Sequence, residues 1–181
     1  MKLACPLLLH RIHIQLTRHS QWTPNRPHSV QTLHAHSGCI YQAIFSPHHP
    51  STLATCSLDG TMKIFDLRAP SLPSSSLSSL PNAPQPLAHA ALTVPASVTE
   101  VLSLDWNKYR PFTIATGSVD KSVKVWDCRM IKVGGTAEVG GICERDFRGH
   151  EYAVRKVQWS PHQPDLVASA SYDMTCRVYV C

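Results

Sequence analysis

Histidine, serine and aspartate side chains recur in this chain at fixed spacings, and such side chains can carry out nucleophilic hydrolysis when they contact one another. A His or Ser lies 23 residues before each of three aspartates, in the pairs His36/Asp59, Ser97/Asp120 and His150/Asp173. A catalytic triad is normally a single site, whereas this spacing occurs three times, and the chain has no Gly-x-Ser-x-Gly motif. We therefore predict no catalytic residues and no enzymatic activity.

Histidines and cysteines are the remaining candidates for chemistry, as metal ligands or in disulfides. The pairs His34/His36 and His48/His49 have no cysteine or carboxylate partners placed nearby, so we expect solvated loops rather than a metal site. The seven cysteines include no Cys-x-x-Cys pair, and an odd number without a framework indicates free thiols in a reducing compartment. No metal and no cofactor are predicted.

The elements that must position these residues are short strands. The stretch from Glu100 to Arg129 contains three apolar runs of strand length, Val101–Trp106, Phe112–Thr116 and Val123–Trp126, and no sustained helical spacing. The same frame surrounds the other two aspartates. Matching positions include Ile40/Val101/Val154, Phe45/Trp106/Trp159, Pro50/Pro111/Pro164, Ala54/Ala115/Ala168 and Phe65/Trp126/Tyr179. The sequence therefore predicts three copies of one all-β unit, named here copies one, two and three.

Characteristic dipeptides begin and end some of these copies. Gly149-His150 begins copy three and Trp126-Asp127 ends copy two, whereas copy one ends with Phe65-Asp66. The chain resembles the WD-repeat family over roughly residues 22–181, and the resemblance implies a β-propeller with four antiparallel strands per blade. Because propellers close with about four to eight blades, we expect a partial propeller of about three blades, not a closed ring, in a truncated chain.

Segments of different composition separate the copies. A Pro- and Ser-rich stretch without charge at 69–87 and a glycine-containing loop at 130–141 are expected to be insertions. The predicted units are a non-matching segment at 1–21, a preceding strand with copy one at 22–68, copy two at 88–129 and copy three at 142–181. No stretch approaches the roughly 18–20 apolar residues of a membrane span, so no direct membrane insertion is expected.

The resemblance assigns the recurring polar residues to a buried hydrogen-bonded tetrad in each blade. The implied members are His36, Thr55, Asp59 and Phe65 in copy one, Ser97, Thr116, Asp120 and Trp126 in copy two, and His150, Ser169, Asp173 and Tyr179 in copy three. Phe65 has no N–H to donate, and we expect Ser97 to be too short to span the gap that a histidine fills. Copies one and two are therefore expected to have broken chains.

The resemblance also implies three positions per copy at one rim of the propeller, where loops held by rigid blades bind partners. They are Cys39, Tyr41 and Leu58, then Glu100, Leu102 and Val119, then Ala153, Arg155 and Tyr172. Aromatic and aliphatic residues with one acid and one arginine suit an amphipathic peptide better than a phosphate backbone. Ordinary loop exposure is the alternative interpretation of each residue.

Longer strings narrow the resemblance to the WD-repeat receptors for type-2 peroxisomal targeting signals. The strings are Thr23–Pro27, Ile40–Leu67, Glu100–Asp127 and Gly149–Val178. The resemblance implies a cytoplasmic receptor that cycles to the peroxisomal matrix with an import co-receptor and docking proteins. Its cargo would carry an N-terminal signal with a basic residue near its start and apolar residues at helical spacing.

The chemistry of that signal gives each rim residue an expected role. We expect Glu100 to pair with the basic residue and Arg155 to hold an acid of the co-receptor. The apolar wall is expected to comprise Leu102, Val119 and Tyr172, with Tyr41 and Leu58 completing the candidate peptide-binding set.

A different partner is compatible with the same fold. Trp126-Asp127-Cys128-Arg129 matches the W-D-x-R pattern of WD-repeat adaptors of cullin-type ubiquitin ligases, and Phe65-Asp66-Leu67-Arg68 is a near match. Nucleic-acid or histone binding is a third possibility. The net charge of +5 is scattered without a Lys/Arg block, so no nucleic-acid partner is predicted.

Overall fold

Strands joined by tight turns make up the regular structure of the chain. The computed structural model describes residues 13–14, 31–33, 36–68, 90–129 and 138–181. These ranges contain no helix, and therefore no helix long and apolar enough to cross a membrane. The predicted all-β fold class is confirmed.

The strands of the described ranges follow one another in a regular order. They are β1 (His13–Ile14), β2 (Gln31–Thr32), β3 (Ile40–Phe45), β4 (Thr52–Ser57), β5 (Thr61–Asp66), β6 (Leu92–Pro95), β7 (Val101–Trp106), β8 (Thr113–Ser118), β9 (Ser122–Asp127), β10 (Glu138–Val139), β11 (Ile142–Arg148), β12 (Val154–Trp159), β13 (Leu166–Ser171) and β14 (Cys176–Val180). Of the runs predicted in copy two, the first coincides with β7, and the others differ from β8 and β9 by one or two residues at their ends.

The strands form three larger sheets and the separate pair β1-β2. The strand order is β10-β6-β5-β4-β3 in sheet one, β11-β9-β8-β7 in sheet two and β12-β13-β14 in sheet three. Neighbours are antiparallel except β10, which runs parallel to β6. The fourth strands of sheets one and two, β6 and β11, precede the first strands of the next copies. This connection ties each copy to its neighbour.

The segment boundaries proposed from the sequence stay a prediction. The insertion at 69–87 and most of the loop at 130–141 lie outside the described residues, as does nearly all of the segment at 1–21.

Apolar side chains between the stacked sheets form the core. Ile64 and Leu92 of sheet one belong to one buried cluster with Trp106 of sheet two, and Val125 of sheet two belongs to another with Trp159 of sheet three. Trp106 and Trp159 occupy the same position in two copies, and each is 1% exposed. Truncating a buried side chain of this size typically costs about 3–5 kcal/mol, so this position is a main source of stability in each copy.

The central strands of sheets one and two are buried at every position because sheets stack around them. β4 reads TLATCS and β8 reads TIATGS, with small and β-branched residues instead of an alternation of polar and apolar ones. Gly117 shows how closely the sheets approach. A Cβ at this glycine would lie 2.8 Å from a methyl carbon of Val154 and 2.9 Å from one of Val157 in sheet three.

Sheet three leaves one apolar face exposed. Val178 is 64% exposed, whereas the equivalent residues Ile64 and Val125 are 0% and 1% exposed under the next sheet. A shallow cavity of about 350 Å³ opens on this face, and Leu166, Ala168 and Val178 line part of it. The described sheets therefore form a partial propeller and do not close into a ring, as expected.

The hairpin turn after each recurring aspartate has the same backbone conformation in all three copies. The residue that follows is Gly60 with φ +76°, Lys121 with φ 71° or Met174 with φ 63°. Glycine adopts this left-handed conformation without steric cost, whereas lysine and methionine do not. Gly60 is also required by packing, because a Cβ there would lie 2.4 Å from the carbonyl oxygen of Ser97.

Candidate functional site

The polar cluster of copy one is centred on His36. Its Nδ1 lies 2.9 Å from Oδ2 of Asp59 and its Nε2 lies 2.7 Å from the hydroxyl of Thr55. Because a carboxylate only accepts, Nδ1 carries the proton and Nε2 accepts from Thr55. The amide of Ser37 donates to Asp59 at 3.1 Å, and the hydroxyl of Thr61 donates at 2.6 Å. The aspartate thus joins the loop before β3 to the turn before β5.

Copy three repeats this arrangement. Nδ1 of His150 lies 2.7 Å from Oδ2 of Asp173, and Nε2 lies 2.6 Å from the hydroxyl of Ser169. The hydroxyl of Thr175 and the amide of Glu151 donate to the same carboxylate at 2.7 Å and 3.0 Å. The histidine side chains of copies one and three are 1% and 0% exposed, so no substrate can reach either imidazole.

Copy two holds its aspartate differently. The Ser97 hydroxyl donates directly to Oδ2 of Asp120 at 2.9 Å. The ammonium group of Lys124 bonds to the same oxygen at 3.3 Å and to the carbonyl of Ala96 at 3.1 Å. Within the described residues Ser97 makes no hydrogen bond to Thr116, so the chain is broken at that step, as expected. Serine and lysine together provide the donors that histidine provides elsewhere.

The closing aromatic residue differs in every copy. The indole N–H of Trp126 donates to the Thr116 hydroxyl at 2.9 Å. Phe65 is buried and has no group to donate. The Tyr179 hydroxyl is buried without a hydrogen-bond partner, and its ring stacks on Phe147 with centroids 4.7 Å apart. Every copy therefore lacks at least one link of the implied four-membered chain, copy three included.

The carboxylates of the three clusters are held ionised. Burial raises the pKa of Asp59, but the hydrogen bonds from Thr61 and His36 outweigh it and lower this pKa to about 2. The pKa values of Asp120 and Asp173 are lowered in the same way, against burial, by neighbouring donors. Burial lowers the pKa of His36, although Asp59 opposes this shift. Such aspartates are poor general bases at neutral pH, which argues against a catalytic role for these clusters.

The predicted rim positions are brought together by the same main-chain contact in every copy. The amide of the residue before the turn aspartate donates to the carbonyl of the residue before the first strand. These bonds are Leu58 to Cys39 at 2.9 Å, Val119 to Glu100 at 3.0 Å and Tyr172 to Ala153 at 3.1 Å. Residues from two separate loops therefore lie side by side at one end of each sheet.

The second rim position of each copy lies in a β-bulge that the sequence did not reveal. The strand register shifts across Tyr41 in β3, across Leu102 in β7 and across Arg155 in β12. A bulge leaves its extra residue unpaired and changes the direction of its side chain. Tyr41 and Arg155 are exposed and Leu102 is half-buried.

The other candidate binding residues are accessible to different degrees. Leu58 is 41% exposed and Tyr172 is 60% exposed, whereas Glu100 and Val119 are half-buried. The structure also joins two candidates across sheets, because the hydroxyl of Tyr41 donates a hydrogen bond to Oε2 of Glu100. The binding roles of these residues stay a prediction.

Glu100 differs from every aspartate of the described ranges. Each aspartate has a basic partner within 3.3 Å, in the pairs Asp59/His36, Asp66/Arg68, Asp105/Lys108, Asp120/Lys124, Asp127/Arg129, Asp146/Arg148, Asp165/Arg110 and Asp173/His150. No described Lys, Arg or His pairs with Glu100, whose hydrogen-bond donor is a neutral phenol. This carboxylate keeps its charge available to a ligand.

Sequence reasoning missed a cross-sheet contact behind the rim. Oε1 of Gln42 accepts hydrogen bonds from the hydroxyl of Ser103 at 3.0 Å, the amide of Leu104 at 3.3 Å and the ammonium of Lys156 at 3.1 Å. Gln42, Ser103 and Lys156 each lie 17 residues before the aspartate of their copy. The repeat frame aligned them, but nothing in their residue types indicated that they meet.

The histidine pair in the loop after β3 was expected to be solvated, which is wrong for His48. Its Nε2 lies 3.0 Å from the carbonyl of Asn107, and its side chain is half-buried. The buried amide of Asn107 donates in turn to the carbonyl of Pro164 at 2.7 Å. His49 is exposed, as expected, and His34 lies outside the described residues. The described residues contain no group of ligands that could hold a metal ion.

The arginines of the two W-D-x-R-like segments pair with aspartates of their own segments. Nε of Arg129 lies 3.3 Å from Asp127, and Nη2 of Arg68 lies 3.0 Å from Asp66. Both arginines are exposed, and their geometry is that of a local surface ion pair at a strand end.

Comparison with known proteins agrees with the repeat. The family described as WD domain, G-beta repeat matches residues 27–66, 91–127 and 141–179. The chain is 37% identical over 151 residues to the Peroxisomal targeting signal 2 receptor of Saccharomyces cerevisiae, covering 78% of this chain and 36% of the relative. It is 38% identical over 141 residues to the protein of that name from Komagataella phaffii, covering 78% and 33%.

A more distant relative has a different name. The Histone acetyltransferase type B subunit 2 of Gibberella zeae is 27% identical over 143 residues, covering 79% of this chain and 30% of the relative. The chain spans about a third of the length of these curated relatives.

Proposed function

The chain belongs to the WD-repeat family, and on that premise we propose that it forms part of a receptor for N-terminal type-2 peroxisomal targeting signals. The family and the names of the relatives indicate a protein-interaction domain rather than an enzyme. Because the chain spans about a third of those relatives, the activity, cargo and partners of the whole receptor are part of this proposal.

The observation that carries the proposal is the environment of Glu100. It lies at the rim, immediately before β7, and it lacks the basic partner that each described aspartate has. A carboxylate in this state attracts the basic residue near the start of a type-2 signal. Because an ion pair at an interface gains strength as water is excluded, contact by the apolar residues of the signal would reinforce it.

The apolar residues of the signal would bind beside this carboxylate. Leu102 and Val119 are half-buried at the same end of sheet two, and Leu58 and Tyr172 are exposed at the corresponding ends of sheets one and three. Rigid aliphatic and aromatic side chains of this kind accept the apolar stripe of an amphipathic helix. The rim thus offers one acid and several apolar contacts, which is the complement of the signal.

Arg155 has a separate proposed role. It is exposed in the bulge of β12 and forms no ion pair with the described residues. We propose that Arg155 binds an acidic group of an import co-receptor. The proposed receptor would also bind docking proteins and cycle between the cytoplasm and the peroxisomal matrix. The ubiquitin-ligase adaptor is not favoured, because its motif arginine is already paired with Asp127.

The first experiment measures the affinity of the chain for a labelled helical peptide with an arginine near its N terminus and leucines at helical spacing. Glu100→Gln keeps the size of the side chain and removes its charge, so we expect binding to weaken about tenfold, equivalent to about 1.4 kcal/mol. Fluorescence anisotropy gives the dissociation constants.

Glu151→Gln is the matched control, because Glu151 is also an acid in a loop before a first strand, is exposed and lies outside the candidate set. Its affinity is expected to equal that of the unmodified chain. If both substitutions weaken binding equally, the loss reflects the net charge of the chain and not a specific contact with Glu100. If Glu100→Gln leaves the affinity unchanged, Glu100 is not part of the site.

A further inference from the structure

The hydrogen bond between Tyr41 and Glu100 gives the tyrosine a role within the candidate site that neither residue type nor spacing indicated. Tyr41 lies in the bulge of β3 in sheet one, and Glu100 precedes β7 in sheet two. The phenol donates to Oε2, one of the two carboxylate oxygens. The tyrosine side chain, which has two rotatable χ angles, therefore holds the more flexible glutamate side chain, which has three, across the boundary between sheets one and two.

A glutamate at a protein surface normally samples many rotamers, and fixing one of them on binding costs conformational entropy. The phenol of Tyr41 removes part of that cost before a ligand arrives. A neutral donor does this without reducing the charge of the carboxylate, whereas a lysine or arginine partner, as at Asp66, Asp105 or Asp165, neutralises it. The second oxygen, Oε1, accepts no described hydrogen bond.

We propose that Tyr41 is a positioning residue that orients the Glu100 carboxylate toward the basic residue of the bound signal. This inference rests on the proposed function and deepens it. Tyr41 acts through Glu100, so its contribution depends on a positive charge in the ligand. A merely structural tyrosine would affect charged and neutral ligands equally.

The test compares Tyr41→Phe with the unmodified chain, using the arginine peptide and a matched peptide with norleucine in place of arginine. We expect Tyr41→Phe to weaken binding of the arginine peptide about three- to tenfold and to leave the norleucine peptide within about twofold. Adding Tyr41→Phe to Glu100→Gln is expected to cause no further loss, because the carboxylate that needs orientation is gone.

Tyr109→Phe is the control for the loss of a phenol. Its hydroxyl donates to the carbonyl of Pro161 at 3.0 Å and also joins two sheets, but it follows β7 at the end away from Glu100. Neither peptide is expected to distinguish Tyr109→Phe from the unmodified chain. Thermal melting of each variant shows whether the fold is retained.

The outcomes separate the inference from its premise. If the unmodified chain binds neither peptide, or binds both equally, the proposed function fails. If it prefers the arginine peptide and Glu100→Gln abolishes the preference, but Tyr41→Phe retains it, the positioning role alone is overturned. Equal weakening of both peptides by Tyr41→Phe would likewise overturn it, because the effect would not pass through the charge of Glu100.

Discussion

The polar clusters of copies two and three do the same structural work with different residues. In copy three the imidazole of His150 lies between Asp173 and Ser169. In copy two Ser97 and Lys124 share Asp120 instead. The turn aspartate is the common element, and the donors around it are interchangeable provided that the carboxylate is satisfied.

In copy three one histidine side chain bonds to both the aspartate and the serine, whereas in copy two the donors to the aspartate are spread over several residues. Loss of His150 would leave the buried hydroxyl of Ser169 without its imidazole partner. It would also remove one donor from Asp173, which keeps those of Thr175 and Glu151. Loss of Ser97 would leave Asp120 with several remaining donors, Lys124 among them. The contrast between the two copies can be tested by removing each donor in turn.

The largest expected effect is the difference between His150→Ala and Ser97→Ala. Because His150 satisfies two buried groups, its loss is expected to lower the free energy of unfolding by about 1–3 kcal/mol more than the loss of Ser97. Urea denaturation of each variant, followed by tryptophan fluorescence, gives both values. His162→Ala removes an exposed histidine from the same copy and should leave stability unchanged. Equal losses for the two cluster variants would show that copy two depends on one donor as strongly as copy three.

A smaller effect is expected when the lysine of copy two is removed. The ammonium of Lys124 is held by Asp120 and by the carbonyl of Ala96, and its side chain is only 16% exposed. We expect Lys124→Met to cost about 1–2 kcal/mol, since a hydrogen bond to a charged group is lost and a carbonyl is left unsatisfied. The measurement is again the free energy of unfolding in urea.

Arg177→Met provides the control for that loss. Arg177 occupies the position of Lys124 in copy three but is exposed, and it makes no hydrogen bond or ion pair within the described residues. Arg177→Met should lower the free energy of unfolding by less than about 0.5 kcal/mol. If the two substitutions cost the same, Lys124 does not replace the missing histidine.

Much of the fold was predictable because the repeat frame fixes it. Apolar runs bounded by turn residues gave the strands, and the alignment of Trp106 with Trp159 placed equivalent side chains in the two inter-sheet cores. The four antiparallel strands of sheet two followed from the resemblance to the WD-repeat family. These features depend on local pattern and on repetition, both of which a single sequence contains.

The candidate site was less predictable because its contacts cross between copies. The bulge at Tyr41 depends on a register shift against β4, which residue type does not specify. The sequence around Lys124 gives no sign that its ammonium group donates to the carbonyl of Ala96. His48 looked solvated because its partner, a main-chain carbonyl, has no sequence signature. Such contacts require the relative placement of sheets, which the spacing within one copy does not determine.

The smallest expected effect concerns the turns, where copies two and three differ from copy one. Lys121 and Met174 hold the left-handed conformation that Gly60 holds in copy one, and Met174 is 97% exposed, so it has little packing to lose. The steric cost of that conformation exceeds the entropy that glycine loses on folding. Lys121→Gly and Met174→Gly are therefore each expected to raise the free energy of unfolding by about 0.5–1 kcal/mol.

The sign of the change in unfolding free energy distinguishes relief of a strained turn conformation from simple loss of a side chain. Val98 is 98% exposed and does not have a positive φ, so Val98→Gly removes a side chain without relieving strain. It should lower stability by about 0.5–1 kcal/mol, opposite to the two turn variants. If all three glycine substitutions destabilise the chain, the lysine and methionine turns carry no strain. The three hairpins would then differ only in sequence, and the close approach of Gly60 to Ser97 would be the sole reason for glycine in copy one.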